Sequence, residues 1–73
     1  MAQSIDITYP TIARWMMEYG WIEISHDDMS RSFVRALDEG GLVWEGQAAY
    51  ATLDDALRDL EAGLAVWMRE QHL

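Results

Sequence analysis

The chain contains no cysteine, no lysine and no asparagine, and it has one proline. Without cysteine there is no disulfide framework, no thiolate metal ligand and no cysteine nucleophile, so secretion has no support and we expect a cytoplasmic location. No apolar run approaches the roughly 18 residues that span a bilayer, and the N-terminus lacks a basic and apolar leader pattern. We therefore expect no membrane segment.

Positive charge is scarce as well. The five basic residues are all arginines and stand against 13 acidic residues, which gives a formal net charge of −8. A surface rich in carboxylates repels phosphate, so this balance argues against direct binding of nucleic acid.

Apolar residues, in contrast, are abundant. They make up 51% of the 73 residues and include four tryptophans, three tyrosines and five methionines. The length allows one domain, residues 1–73, and a domain this small buries only about 60% of its unfolded surface. The chain carries more large apolar side chains than such a monomer hides easily, so we expect a homodimer or another protein partner.

The N-terminal part predicts one short helix. Residues 1–8 show no helical periodicity and are predicted to form a loose lead-in, or an added edge strand through Ile5 and Ile7. The pattern over residues 10–19 predicts a helix that begins at Pro10. Gly20 follows this helix and is predicted to end it by adopting a left-handed conformation. Its predicted apolar stripe consists of Ile12, Trp15, Met16 and Tyr19.

Residues 21–46 predict a three-stranded antiparallel meander. The strands are expected at 21–26, 31–38 and 42–45, where β-forming residues alternate with polar ones. Gly40 and Gly41 supply the second reversal, since glycine accepts a positive φ.

The longest predicted element is an amphipathic helix over residues 52–70. Thr52 and Asp55 approximate a capping box, and Asp54 and Asp55 complement the helix dipole. The predicted apolar stripe is Leu53, Leu57, Leu60, Leu64 and Trp67, and the predicted polar face is Arg58, Asp59, Glu61, Arg69 and Glu70. The fold class is therefore α+β, in the order α-β-β-β-α, with both helices on one face of the sheet.

Strand alternation divides the meander into two faces. The face expected against the helices carries Ile22, Ile24, Val34, Ala36, Leu42 and Trp44. The other face mixes charged residues with large apolar ones, which a solvated face does not need, so the N-terminal segment or another chain is expected to cover it. We favour a sheet-face homodimer with an interface of Trp21, Phe33, Arg35, Leu37 and Val43. A bulge in the second strand would exchange the faces.

Three acidic pairs lie at turns or at a helix start: Asp27–Asp28, Asp38–Glu39 and Asp54–Asp55. The meander brings one sheet end near the start of the long helix, so a metal site, and with it a small metal-dependent enzyme, is one alternative. Its residues would be His26, Asp27, Asp28, Asp54 and Asp55. Capping and turn chemistry explain the same acids and are favoured, because the spacing matches no metal motif.

No arrangement typical of catalysis occurs. The chain has no G-x-S-x-G pattern, no phosphate-binding glycine loop and no nucleophile placed beside His26. We therefore predict that the protein is not an enzyme and uses no cofactor.

An aromatic and basic strand face offers another alternative. Arg31, Phe33 and Arg35 share one face with Trp21 as a neighbour, which is typical of single-stranded nucleic-acid binding. Pairing of Arg35 with Glu23 or Glu45 is favoured instead, because the surroundings are acidic.

Two stretches carry a resemblance to known proteins. GWIEISHDDMSRSFVRALDEGGLVWEG and TLDDALRDLEAGLAVWM resemble a group of short uncharacterised bacterial proteins. Over residues 21–70 the chain is also similar in outline to HicB-type antitoxins, in which Thr-Leu-x-x-Ala-Leu begins a helix after a meander. This resemblance implies a toxin partner. The chain differs from that family in its predicted helix before the sheet and in lacking a Pro-x-Leu-Pro-Gly loop, so no functional residue is carried over.

These observations predict a small acidic interaction module that forms a homodimer. The alternatives are an antitoxin-like or inhibitor protein that binds a basic partner, and the metal-dependent enzyme with a site near His26, Asp27 and Asp28.

Overall fold

A computed structural model describes residues 5–25 and 31–73 of the chain. The fold is α+β, as predicted, with a three-stranded antiparallel sheet and its helices on one face. The elements in chain order are α1 (Ile5–Thr8), α2 (Pro10–Glu18), β1 (Trp21–Ile24), β2 (Val34–Asp38), β3 (Gly41–Glu45) and α3 (Leu53–Glu70).

The lead-in differs from its prediction. Residues 5–8 form a single helical turn, α1, and neither a loose segment nor an edge strand. Among the described elements α1 packs on α2 alone, so it does not cover the sheet. Residues 1–4 lie outside the described part of the chain.

Helix α2 presents Ile12, Ala13 and Trp15 to the core. Met16, which belongs to the predicted apolar stripe, is 52% exposed. Periodicity indicates which side of a helix faces the protein, but it does not tell how far the neighbouring elements extend along that side.

The connection from α2 to β1 depends on Gly20 for space. Gly20 does not adopt the left-handed φ that was predicted for it. Gly41, in the turn between β2 and β3, does have a positive φ, of +116°. A Cβ on Gly20 would lie 1.9 Å from the carbonyl oxygen of Leu37. The indole N–H of buried Trp15 donates to the carbonyl oxygens of Trp21 and Leu37, at 3.3 and 3.2 Å. These hydrogen bonds connect helix α2 to the sheet at the point where β1 begins and β2 ends.

The sheet has the order β1-β2-β3, and its register places Arg35 opposite Glu23 and Glu45. Val34 and Ala36 point toward the helices and are fully buried. Ile24, predicted on the same face, is 42% exposed on β1, which is an edge strand of the sheet.

A bulge in β3 exchanges two predicted positions. Ala36 pairs with Trp44 and Leu37 pairs with Leu42, so Val43 is the extra residue. Val43 packs against the core, whereas Leu42 is 52% exposed on the opposite face. The predicted placements of Leu42 and Val43 are therefore wrong, because the inserted residue shifts the alternation of this strand by one position.

Helix α3 begins as predicted, with the Oγ1 of Thr52 accepting the backbone N–H of Asp55 at 3.1 Å. Leu53, the first residue of the predicted apolar stripe, is 55% exposed and does not belong to the buried side of the helix. The buried row of α3 consists of Ala56, Leu60, Leu64 and Met68.

The end of α3 is a well-defined turn. His72 adopts a φ of 61° and donates its backbone N–H to the carbonyl of Arg69, while Leu73 donates to the carbonyl of Met68. This pair of bonds is a Schellman motif with histidine at the position that glycine usually occupies.

The described part of the chain forms two layers, with extents of 37 × 33 × 17 Å. The core lies between the sheet and the helices, and no helix in residues 5–25 or 31–73 has the length and apolar content to cross a membrane. The buried core residues are Tyr9, Ile12, Trp15, Val34, Ala36, Ala56, Leu60, Leu64 and Met68.

Candidate functional site

The face of the sheet that points away from the helices carries a row of apolar side chains, which we call the apolar row. It consists of Trp21, Leu37 and Leu42, one residue from each strand, joined by direct cross-strand pairing. Trp21 is 45% exposed and Leu42 is 52% exposed. Large apolar groups on a sheet face are usually covered, so this row is a candidate contact surface.

A second row, the charged row, lies two residues away along β1 and β2 and, because of the bulge, three residues away along β3. It places Arg35 on the central strand between Glu23 and Glu45. The Nε of Arg35 is 3.4 Å from the Oε1 of Glu23, which confirms the predicted pairing. The indole N–H of Trp21 donates to the other oxygen of Glu23 at 3.2 Å and so links the two rows.

Further hydrogen bonds hold Arg35 in place. Its Nη2 donates to the Oγ of Ser25 at 2.7 Å, and its Nη1 donates to the carbonyl oxygen of Ser32 at 2.5 Å. The hydroxyl of Ser32, which is buried, donates to Glu45 at 3.1 Å. The guanidinium is therefore occupied by protein groups, which weakens the nucleic-acid interpretation of this face.

The predicted interface residues divide into two groups. Trp21, Arg35 and Leu37 lie together on the open face. Phe33 instead packs against the core, with its ring centroid 6.3 Å from that of Tyr50, and Val43 also packs against the core. Leu42 also lies on the open face. Strand alternation without the bulge predicts the opposite face for this residue.

The predicted metal cluster is only partly described. His26, Asp27 and Asp28 lie outside the described residues. The carboxylate of Asp54 accepts the hydroxyl of Tyr9 and pairs with Arg58 at 2.8 Å. Within residues 5–25 and 31–73 no group of three or more histidine or acidic side chains is arranged to hold a metal.

Two tyrosines are tied to aspartates of α3. The hydrogen bond to Asp54 raises the pKa of Tyr9, and desolvation adds to the shift. Burial raises the pKa of Tyr50, and its hydrogen bond to Asp59 at 2.5 Å raises it further. These carboxylates therefore hold the two tyrosines against α3 through hydrogen bonds.

Glu61 belongs to the predicted polar face of the long helix. Its two carboxylate oxygens instead accept the backbone N–H groups of Thr11 and Ile12, at 2.9 and 3.0 Å. No short-range pattern links residues 50 positions apart, so the sequence carried no signal for this contact.

Comparison of the chain with models of protein families, with curated proteins and with solved structures returned no match. The resemblances to short bacterial proteins and to HicB-type antitoxins therefore stay predictions.

Proposed function

We propose that the protein is an interaction module that pairs with a second copy of itself through the open face of the sheet. The observation that supports this most directly is the apolar row of Trp21, Leu37 and Leu42, which no described element covers. Interfaces are anchored by aromatic and arginine side chains, and both types lie on this face.

The shape of the molecule supports the same proposal. The smallest extent of the described part of the chain is 17 Å, which fits one layer of helices on one sheet and leaves no room for a third layer within that part. Two open sheets stack about 10 Å apart, so face-to-face pairing would bury both apolar rows between two outer helix layers. A two-fold pairing brings the same patch of each copy together.

The charged row bears on how the two copies are oriented. Arg35 is held by Glu23, Ser25 and Ser32, so its position is set before association. A pre-ordered charge restricts the relative orientation of the sheets more than it adds affinity. The formal charge of −8 on each copy opposes association, so salt is expected to strengthen the dimer.

Sedimentation equilibrium over a range of micromolar concentrations tests the proposal. We expect a reversible dimer for the unchanged chain and a monomer with the same circular dichroism spectrum for Leu42→Glu. The matched control is Leu53→Glu, because Leu53 is similarly exposed but lies on α3. A monomeric unchanged chain, or a Leu42→Glu variant that dimerises as well as the control, would contradict the proposal.

The net charge of −8 favours a second candidate, an antitoxin-like or inhibitor protein that binds a basic partner. The exposed acids Glu39, Asp55 and Glu70 would contribute to that attraction. Salt separates the candidates, because it weakens attraction to a basic partner and strengthens pairing between two acidic copies.

A further inference from the structure

A groove of about 360 Å³ lies between α2 and α3, on the helix layer and away from the open sheet face. Its apolar lining comes from Pro10 on α2, from Ala65 and Met68 on α3, and from Leu73 at the end of the Schellman turn. This volume is at the lower end of the range typical of small-molecule sites. The groove has an ordered end, because the backbone N–H of Leu73 donates to the carbonyl of Met68 at 2.9 Å.

Two of the five arginines of this acidic chain line the same groove, one from each helix. Arg14 is held by Glu18 at 3.2 Å, by the hydroxyl of Tyr19 and by the carbonyl of Leu73. Arg69 is exposed and makes no ion pair with any residue in the described part of the chain. Glu18 balances the charge of Arg14, so Arg69 supplies the one positive charge at this groove that has no ion-pair partner among the described residues.

The lining indicates the chemistry of the occupant. Among the described residues that line the groove none is aromatic, so none of them stacks on a nucleic-acid base. An apolar floor with a guanidinium group beside it suits a ligand with a hydrocarbon tail and an anionic head, since arginine binds carboxylates through paired N–H donors. We propose that this groove binds a medium-chain carboxylate, with the tail on Pro10, Ala65 and Met68 and the head at Arg69.

Isothermal titration calorimetry with sodium decanoate, below its micelle concentration, tests this site. We expect saturable binding of one decanoate per chain. Decyltrimethylammonium, which has a similar tail and the opposite charge, is expected to bind at least about tenfold more weakly, as is acetate, which lacks the tail. Equal binding of the cationic and anionic amphiphiles would overturn the proposal, because it would show apolar adsorption alone.

Arginine variants locate the head group. Arg69→Gln is expected to weaken decanoate binding about tenfold. Arg58→Gln is the matched control, because Arg58 lies on the same helix, is highly exposed and does not line the groove. Equal affinity in both variants would overturn the assignment.

Filling the groove tests the position of the tail. Ala65→Leu places added methyl groups in the groove and is expected to abolish decanoate binding while circular dichroism stays unchanged. If this variant does not fold, nuclear magnetic resonance shifts of the unchanged chain decide the question. Decanoate-induced shifts confined to Ala65, Met68 and Leu73 support the site, and shifts at Trp21 and Leu42 instead overturn it.

Discussion

Glu61 on α3 caps α2 at Thr11: its carboxylate accepts the backbone N–H of Thr11 at 2.9 Å and that of Ile12 at 3.0 Å. These are the second and third residues of α2, whose amides a side chain at the N-cap normally satisfies. Tyr9 occupies the N-cap and makes no such bond. A residue from another helix therefore supplies both the hydrogen bonds and the negative charge that a helix start favours.

Removal of this carboxylate is expected to destabilise the protein. Glu61→Ala should lower the free energy of unfolding by about 1–2 kcal/mol, the usual cost of a lost cap. Urea denaturation followed by tryptophan fluorescence measures this change. Glu70→Ala is the control, because Glu70 is exposed on the same helix, and it should stay within about 0.5 kcal/mol of the unchanged chain. Equal stabilities of the two variants would show that the contact contributes nothing.

Gly63 is a helix position where alanine should harm the fold. A Cβ there would lie 2.3 Å from the Nε1 of Trp44, inside the contact distance of the indole. Gly63→Ala should therefore destabilise by about 1–3 kcal/mol through overpacking, although alanine is the better helix former. Thermal unfolding tests this prediction.

The neighbouring position provides the opposite control. Ala62 is exposed on α3, so Ala62→Gly should cost about 0.8–1 kcal/mol through helix propensity alone. A gain in stability from Gly63→Ala would mean that Trp44 does not lie against α3 in solution.

Alkaline pH is expected to destabilise the protein through Tyr9 and Tyr50. The hydrogen bond to Asp54 raises the pKa of Tyr9, and burial together with the hydrogen bond to Asp59 raises the pKa of Tyr50, above the value of about 10 that tyrosine has in the unfolded chain. The stability that they contribute is complete below that value and is lost as the pH rises through the folded-state pKa. We therefore expect Tm to fall as the pH rises above about 10.

The missing residue types make this experiment easy to interpret. No lysine or cysteine titrates in the same range, and Tyr19 is the one other tyrosine. The variant with Phe at positions 9 and 50 should be less stable at neutral pH and should lose most of the alkaline fall in Tm. An unchanged alkaline fall in that variant would assign it to other groups.

His72 holds a backbone conformation that costs free energy for any residue with a Cβ. His72→Gly should raise the free energy of unfolding by about 0.5–1 kcal/mol, because glycine adopts a positive φ without a steric penalty. His72→Ala keeps the Cβ and should show no such gain. Urea unfolding of both variants separates the effect of the backbone conformation from the effect of losing the imidazole. Equal free energies of unfolding for His72→Gly and His72→Ala would assign the change to the imidazole.

The order of the three strands and of helices α2 and α3 was predictable because each of these elements has a local signature. Helical spacing marks α2 and α3, Thr52 marks the start of α3, and the glycine pair marks the turn between β2 and β3. Arg35 was predicted to pair with Glu23 or Glu45, and the ion pair with Glu23 confirms the first of these, since residues on opposing strands follow from the register. Local pattern was sufficient for all of these features.

The unpredicted features depend on contacts that are distant in sequence or on one extra residue. The bulge at Val43 moves Leu42 onto the open face, and alternation alone gives no sign of it. Glu61 is a charged residue of the kind that solvent-exposed helix faces carry. Its capping of α2 arises only from the packing of α2 against α3. The helical turn at α1 is too short to show a periodicity.

The bulge also bears on what kind of assembly this sheet can form. Strand β3 is at the edge of the sheet and has no proline or lysine to discourage pairing with another strand. The extra residue at Val43 interrupts its regular hydrogen-bonding pattern and increases its twist, which disfavours edge-to-edge extension into fibres. The association through the open face that we propose would, by contrast, use up that face in each copy. Such an assembly would close at two chains.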